Sequence, residues 1–153
     1  MAIEHDLYGE ADLSDSEFVS FIATSVDGKI FDEGLIKARS MDVIAYRVSE
    51  DDEMSAADNF GFRPRVTATF RFHNLASSEE RGLAQIVMYR TVLEFFERFS
   101  GRGVLLFNGE EVTIQKLGEE IEINSGWEEW TDNEALQSLI NGYAFRPLPQ
   151  PLL

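Results

Sequence analysis

The residues of this chain whose types could do chemistry are two histidines, a block of clustered carboxylates and a Trp-Glu-Glu-Trp segment. A metal-binding or acid–base role for His5 or His73 would need carboxylates converging on the imidazole. With twenty-eight Asp and Glu in the chain, carboxylates fall near almost any position, so both are read as ordinary surface or half-buried histidines. Glu50, Asp51, Asp52 and Glu53, with Asp58, offer oxygens of the kind a hard cation takes. The alternating Asp/Asn register, central Gly and terminal Glu of an EF-hand are absent, and residues 50–58 are read as an acidic surface loop. The glycines of Asp27-Gly28-Lys29 and Gly101-Arg102-Gly103 make neither a phosphate loop nor a dinucleotide fingerprint, and no Gly-x-Ser-x-Gly elbow occurs. The absence of Cys removes thiolate metal sites, Cys nucleophiles and disulfides together. The expectation is a chain that is not an enzyme and needs neither metal nor organic cofactor.

The strongest surface signal runs from Glu110 to Glu134. Glu110, Glu111, Glu119, Glu120, Glu122, Glu128, Glu129, Asp132 and Glu134 stand there against Lys116 as the one base. Both tryptophans, Trp127 and Trp130, flank two of these acids. Trp is a favoured interface anchor, and carboxylates around it select a cationic partner. The competing reading is that the indoles cap the core where the last strand passes into the third helix, with the acids merely solvated. The expected partner-binding residues are Glu119, Glu120, Glu122, Trp127, Glu128, Glu129 and Trp130, and secondarily Glu50, Asp51, Asp52, Glu53 and Asp58. The arginines cluster mid-chain, at Arg63, Arg65, Arg71, Arg81, Arg90, Arg98 and Arg102, which makes the molecule dipolar.

Thirteen basic residues against twenty-eight acidic ones give a formal net charge of -15. Such a surface repels nucleic acid phosphates and anionic lipid and speeds encounter with basic proteins. At 44% hydrophobic residues the chain can still bury a core, and 153 residues suit one domain over 1–153 without a linker. The N-terminus lacks the basic start and apolar run of a signal peptide, and no stretch approaches the ~18 apolar residues of a membrane span. A cytoplasmic protein is expected.

The elements that would position these residues are written in capping and alternation. Ser14 to Glu17, Ser77 to Glu80 and Thr131 to Glu134 each set a hydroxyl three residues before a Glu, the reciprocal capping box. A short helix follows through Phe18, Phe21 and Ile22. A long one spans about Glu79 to Phe99 with a wide apolar arc, and a third carries Leu136, Leu139 and Ile140. Val66, Ala68, Phe70 and Phe72 alternate with Thr67, Thr69, Arg71 and His73, a strand with one core face and one wet face. Val104 to Phe107, the Asn108-Gly109 turn, Val112 with Ile114, and Ile121 with Ile123 predict a three-stranded meander. Weaker strands are expected over 3–8, 29–31, 35–38 and 43–48. This order predicts an α+β fold, an antiparallel sheet with helices packed on one face as a two-layer sandwich, with 144–153 an extended tail.

From Phe60-Gly61-Phe62-Arg63-Pro64-Arg65 through Phe72, the long helix and Val104-Leu105-Leu106-Phe107-Asn108-Gly109-Glu110, the chain resembles the small immunity proteins of bacterial swarming-inhibition (Sit) lipoprotein toxin systems. The resemblance covers roughly residues 60–124. In those systems kin cells exchange lipoprotein toxins by outer-membrane contact and carry a cytoplasmic protein that neutralises them. It therefore implies a non-enzymatic immunity protein with a cognate toxin as partner, and it carries no shared binding residue across. Many intercellular toxins are basic nucleases, whose phosphate-binding surface an acidic inhibitor can occupy, so a basic toxin is expected, a nuclease being one candidate. Two other readings stand beside it: a small ligand-binding or enzymatic α+β domain with a pocket between sheet and long helix, and an acidic adaptor or regulator of another protein.

Overall fold

Each helix begins where a side-chain oxygen supplies the partner that its first backbone N–H groups lack. In the computed structural model, which describes residues 3–50, 60–74 and 76–150, Ser14 Oγ accepts from Glu17 N while Glu17 Oε1 accepts from Ser14 N, closing the box that starts α1 (Asp15–Ser25). Ser77 accepts from Glu80 N and starts α2 (Ser78–Arg98), but the expected box is only half formed, because Glu80 Oε2 accepts from Ser40 Oγ at 2.9 Å and no return bond to Ser77 N closes it. The third box fails. Asn133, not Thr131, caps α3 (Glu134–Ile140) by accepting from Leu136 N at 2.7 Å. Thr131 instead ends a 3-10 turn over Glu128–Thr131, where its hydroxyl donates to the Glu128 carbonyl.

The strands are β1 (Glu4–Gly9), β2 (Lys29–Asp32), β3 (Leu35–Ala38), β4 (Met41–Arg47), β5 (Val66–Phe72), β6 (Gly103–Phe107), β7 (Glu111–Lys116), β8 (Glu122–Asn124) and β9 (Ala144–Arg146). They form one sheet in the order β2-β3-β4-β5-β1-β6-β7-β8-β9, antiparallel except for the parallel pair β8–β9. The fold is therefore α+β. Alternation works as expected in β5, whose Val66, Ala68, Phe70 and Phe72 are all buried. They join Leu7, Val43, Leu105, Ile114 and Ile123 on one sheet face, under Phe18 and Ile22 of α1, Met88, Val92, Phe95 and Phe96 of α2, and Leu136 of α3. The three helices among the described residues thus feed one core.

The opposite face carries a smaller cluster, Phe62, Val104, Leu106, Val112 and Leu148, flanked by Tyr8 and Phe60. Val112 belongs here and Ile114 to the main core, so the two apolar residues of β7 face opposite ways. The cause is a bulge: Leu105 pairs with Ile114 and Leu106 with Val112, so Thr113 is the extra residue and its hydroxyl donates to the Leu105 carbonyl at 3.3 Å. Asn108 (φ 48°) and Gly109 (φ 74°) both take the left-handed conformation that the tight β6–β7 turn requires. The tail is more tied down than expected. After β9, Leu148 is buried in the second cluster, and Gln150 Oε1 accepts from Val112 N at 2.8 Å.

Gly9 and Gly103 face each other across β1 and β6. A Cβ at Gly9 would stand 2.8 Å from the Phe95 ring, and one at Gly103 would stand 2.4 Å from the Phe96 ring. Two aromatic rings of α2 thus rest on bare backbone. Where a pocket between sheet and long helix was an open reading, Phe95 and Phe96 fill that space at the centre of the sheet.

Candidate functional site

The carboxylate-rich stretch between β7 and α3 is shaped by Asn124. Its side-chain amide donates to the Val112 carbonyl at 2.7 Å and its Oδ1 accepts from Gly126 N at 2.9 Å, bending the chain off β8. Its own carbonyl accepts from Trp130 Nε1 at 2.7 Å. That bond turns the second indole inward, where it is 1% exposed and packs 4.7 Å from the Tyr89 ring. Trp130 is therefore core and does not stand at the surface as an anchor. The hydrophobic gain of burying a whole indole, with its one donor satisfied, outweighs any surface role.

Trp127 is half-buried and leans on Phe107, with ring centroids 4.7 Å apart. Its Nε1 donates to Tyr89 Oη at 3.0 Å, Tyr89 Oη donates to Glu129 Oε2 at 3.2 Å, and Gln85 Nε2 donates to the same oxygen at 2.8 Å. Glu129 is thus an internal acceptor that ties the 3-10 turn to α2. Burial pushes its carboxyl above the usual carboxylate range, and burial pushes the Tyr89 phenol well up, the Glu129 charge adding to it. Tyr89 and Gln85, which hold the segment in place, lie 38 to 44 residues away from it, and no local pattern announces them.

The remaining acids divide. Arg146 on β9 pairs with Glu120 and, at 2.8 Å, with Glu122, so part of the expected negative patch is locally compensated. Glu119 and Glu128 are exposed. Glu50 is exposed too, and its backbone carbonyl accepts from Arg63. Asp51, Asp52, Glu53 and Asp58 lie outside the described residues. The exposed acids of this stretch are thus Glu119, Glu120, which Arg146 pairs, Glu128, Asp132 and Glu134.

Neither histidine forms a reactive centre. His73 is exposed, with Nε2 3.1 Å from Asp42 Oδ1. His5, expected at or near the surface, is fully buried, because it shares the inward face of β1 with Leu7. The Phe72, Tyr89 and Phe107 rings surround it at 5.2 to 5.8 Å, and neither ring nitrogen has a hydrogen-bond partner. Burial drives its pKa down to about 3, so the imidazole is neutral at pH 7. Among the described residues no group of three or more His, Asp or Glu is placed to hold a metal ion, and no helix is long and apolar enough to cross a membrane.

Chemically, this arrangement offers an acidic rim on a firmly packed support, suited to recognising cationic protein surfaces. Compared with known proteins, residues 3–134 match a family model described as SitI3-like. No curated protein and no solved structure matches the chain.

Proposed function

This chain belongs to the SitI3-like family, and from that premise we propose that it is a non-enzymatic immunity protein that binds and neutralises a cognate, basic bacterial toxin in the cytoplasm. The family match over residues 3–134 carries the reading, and the net charge of -15 supplies its physics. A field that negative draws a basic protein into encounter and disfavours nucleic acid and anionic membrane as partners. Neutralisation then needs only occupancy: an inhibitor seated on a toxin's positive working surface excludes whatever that surface holds.

Glu119, Glu120 and Glu128 are the exposed acids on which this reading places the steering. Glu128 stands on the 3-10 turn that Glu129 and Trp130 tie to Gln85, Tyr89 and Asn124. Association with a purified basic bacterial toxin whose growth arrest this chain relieves, followed by stopped flow at two ionic strengths, tests this. The association rate constant should fall by roughly an order of magnitude between ~20 and ~200 mM salt, because exposed charges are screened beyond about one Debye length. The Glu119→Lys/Glu128→Lys double variant should associate more slowly and show a flatter salt dependence, with an unchanged melting temperature. Wild-type rates and salt slope in that variant would remove these acids from the interface.

A further inference from the structure

An open groove of about 460 Å³ lies between the start of α2 and the segment linking the 3-10 turn to α3, lined by Glu79, Gly82, Leu83, Ile86, Asp132 and Ala135 among others. Three features of its lining are unexplained by the fold. Leu83 is 49% exposed, a large aliphatic side chain at the surface of a helix whose neighbouring apolar residues Ile86 and Val87 are at least partly buried against the core. Gly82, one residue before it, sits inside α2 with no heavy atom within 4 Å of where its Cβ would be. No close packing and no left-handed backbone demands glycine there, yet glycine in a helix interior costs about 0.8–1 kcal/mol relative to Ala. Finally, among the described residues the charged side chains lining the groove are the carboxylates Glu79 and Asp132, with no Lys or Arg.

An apolar floor with an acidic rim and a missing side chain is what a docking seat for an apolar residue flanked by cations requires. We propose that this groove receives a basic segment of the cognate toxin, whose apolar side chain packs on Leu83 and Ile86, whose Lys or Arg side chains meet Glu79 and Asp132, and whose chain passes over Gly82. The proposal rests on the immunity reading above. It adds a contact surface that acidic patterning alone did not mark, centred on α2 rather than on the tryptophans. The groove adjoins the turn that carries Glu128, so steering and docking share one side of the molecule: Gln85, which also lines it, donates to Glu129 of that turn.

The decisive variants are Gly82→Gln and Leu83→Ala, measured beside the wild-type chain for affinity to the basic toxin whose growth arrest the chain relieves and for thermal unfolding. Gln at position 82 fills open space and favours the helix, so the melting temperature should hold or rise while the dissociation constant increases at least tenfold. Removing the exposed Leu83 side chain should raise the dissociation constant at least tenfold with little change in melting temperature. Tight wild-type binding that both variants retain within twofold overturns the groove as the docking seat and leaves the immunity reading standing. A wild-type chain that fails to bind overturns that reading, and the groove's role with it.

Discussion

Trp130→Ala should lower the free energy of unfolding by about 3–5 kcal/mol, the range for deleting a large aromatic side chain from a core. The indole is 1% exposed, stacks 4.7 Å from Tyr89, and donates its one N–H to the Asn124 carbonyl. Truncation therefore opens a cavity under the 3-10 turn, removes the shorter of the two hydrogen bonds that the Asn124 carbonyl accepts, leaving the one from Trp127 N at 3.2 Å, and loosens the attachment of α3 to the sheet. The measurement is urea unfolding of the two proteins at pH 7.5. A loss under about 1 kcal/mol would mean that the turn collapses freely onto the gap and that Trp130 is no part of the core. Near a typical domain stability of about 5–15 kcal/mol, the expected loss is a large fraction of the total. Any binding defect of this variant would then report unfolding, which is why the surface variants above avoid it.

His5 should make stability fall as the solution is acidified below neutrality. Its folded-state pKa is about 3 against an ordinary value of 6.5, because burial among Phe72, Tyr89 and Phe107 disfavours the charged ring. Between those values the unfolded chain takes up a proton that the folded chain refuses. The stabilising contribution of the neutral imidazole is thus whole above pH 6.5 and is lost progressively as the pH falls toward 3. One proton of difference is worth about 1.4 kcal/mol per pH unit, or about 2 kcal/mol by pH 5. Asp6 and Glu129, whose carboxyls burial pushes up, act in the opposite direction through the carboxylate range. Both remain in a His5→Phe variant, so the comparison cancels them. Unfolding of wild type and His5→Phe at pH 7.5, 6 and 5 should show the gap shifting by about 2 kcal/mol in favour of the variant on acidification. Parallel pH profiles would show that His5 titrates normally.

Much of the architecture was legible because it is local. Alternation marked β5, capping side chains marked α1 and α2, and the Asn108-Gly109 pair marked the β6–β7 hairpin. What escaped depends on residues far apart in the chain. The strand β9 is three residues long and pairs in parallel with β8, so no turn or alternation pointed to it. The bulge at Thr113 is a register event between two strands, invisible in either one alone, and it sends Val112 to the opposite face from Ile114. His5 was the avoidable error: it has the same parity as Leu7 on β1, and that alternation already placed it inward.

The Trp-Glu-Glu-Trp segment shows the same division. Its composition marked the two aromatics and the two acids but not their directions, which are set by Asn124, Tyr89 and Gln85. One indole became core, the other a hydrogen-bonded prop, one acid an internal acceptor and only Glu128 a fully exposed charge. Pairing by Arg146 likewise tempers Glu120 and Glu122 from a strand that the sequence did not reveal. An acidic run is thus a guide to overall field, and the tertiary partners decide which of its charges a visitor meets.

Neutralisation itself is tested most directly by inducing basic toxins of the bacterial swarming-inhibition type in a sensitive bacterium, with and without this chain, and purifying the toxin from the surviving culture. The account predicts growth arrest without the chain, full growth with it, and recovery of the two proteins as a stoichiometric complex that loosens as salt is raised. Arrest that proceeds equally in its presence, or rescue with no complex formed, would contradict it.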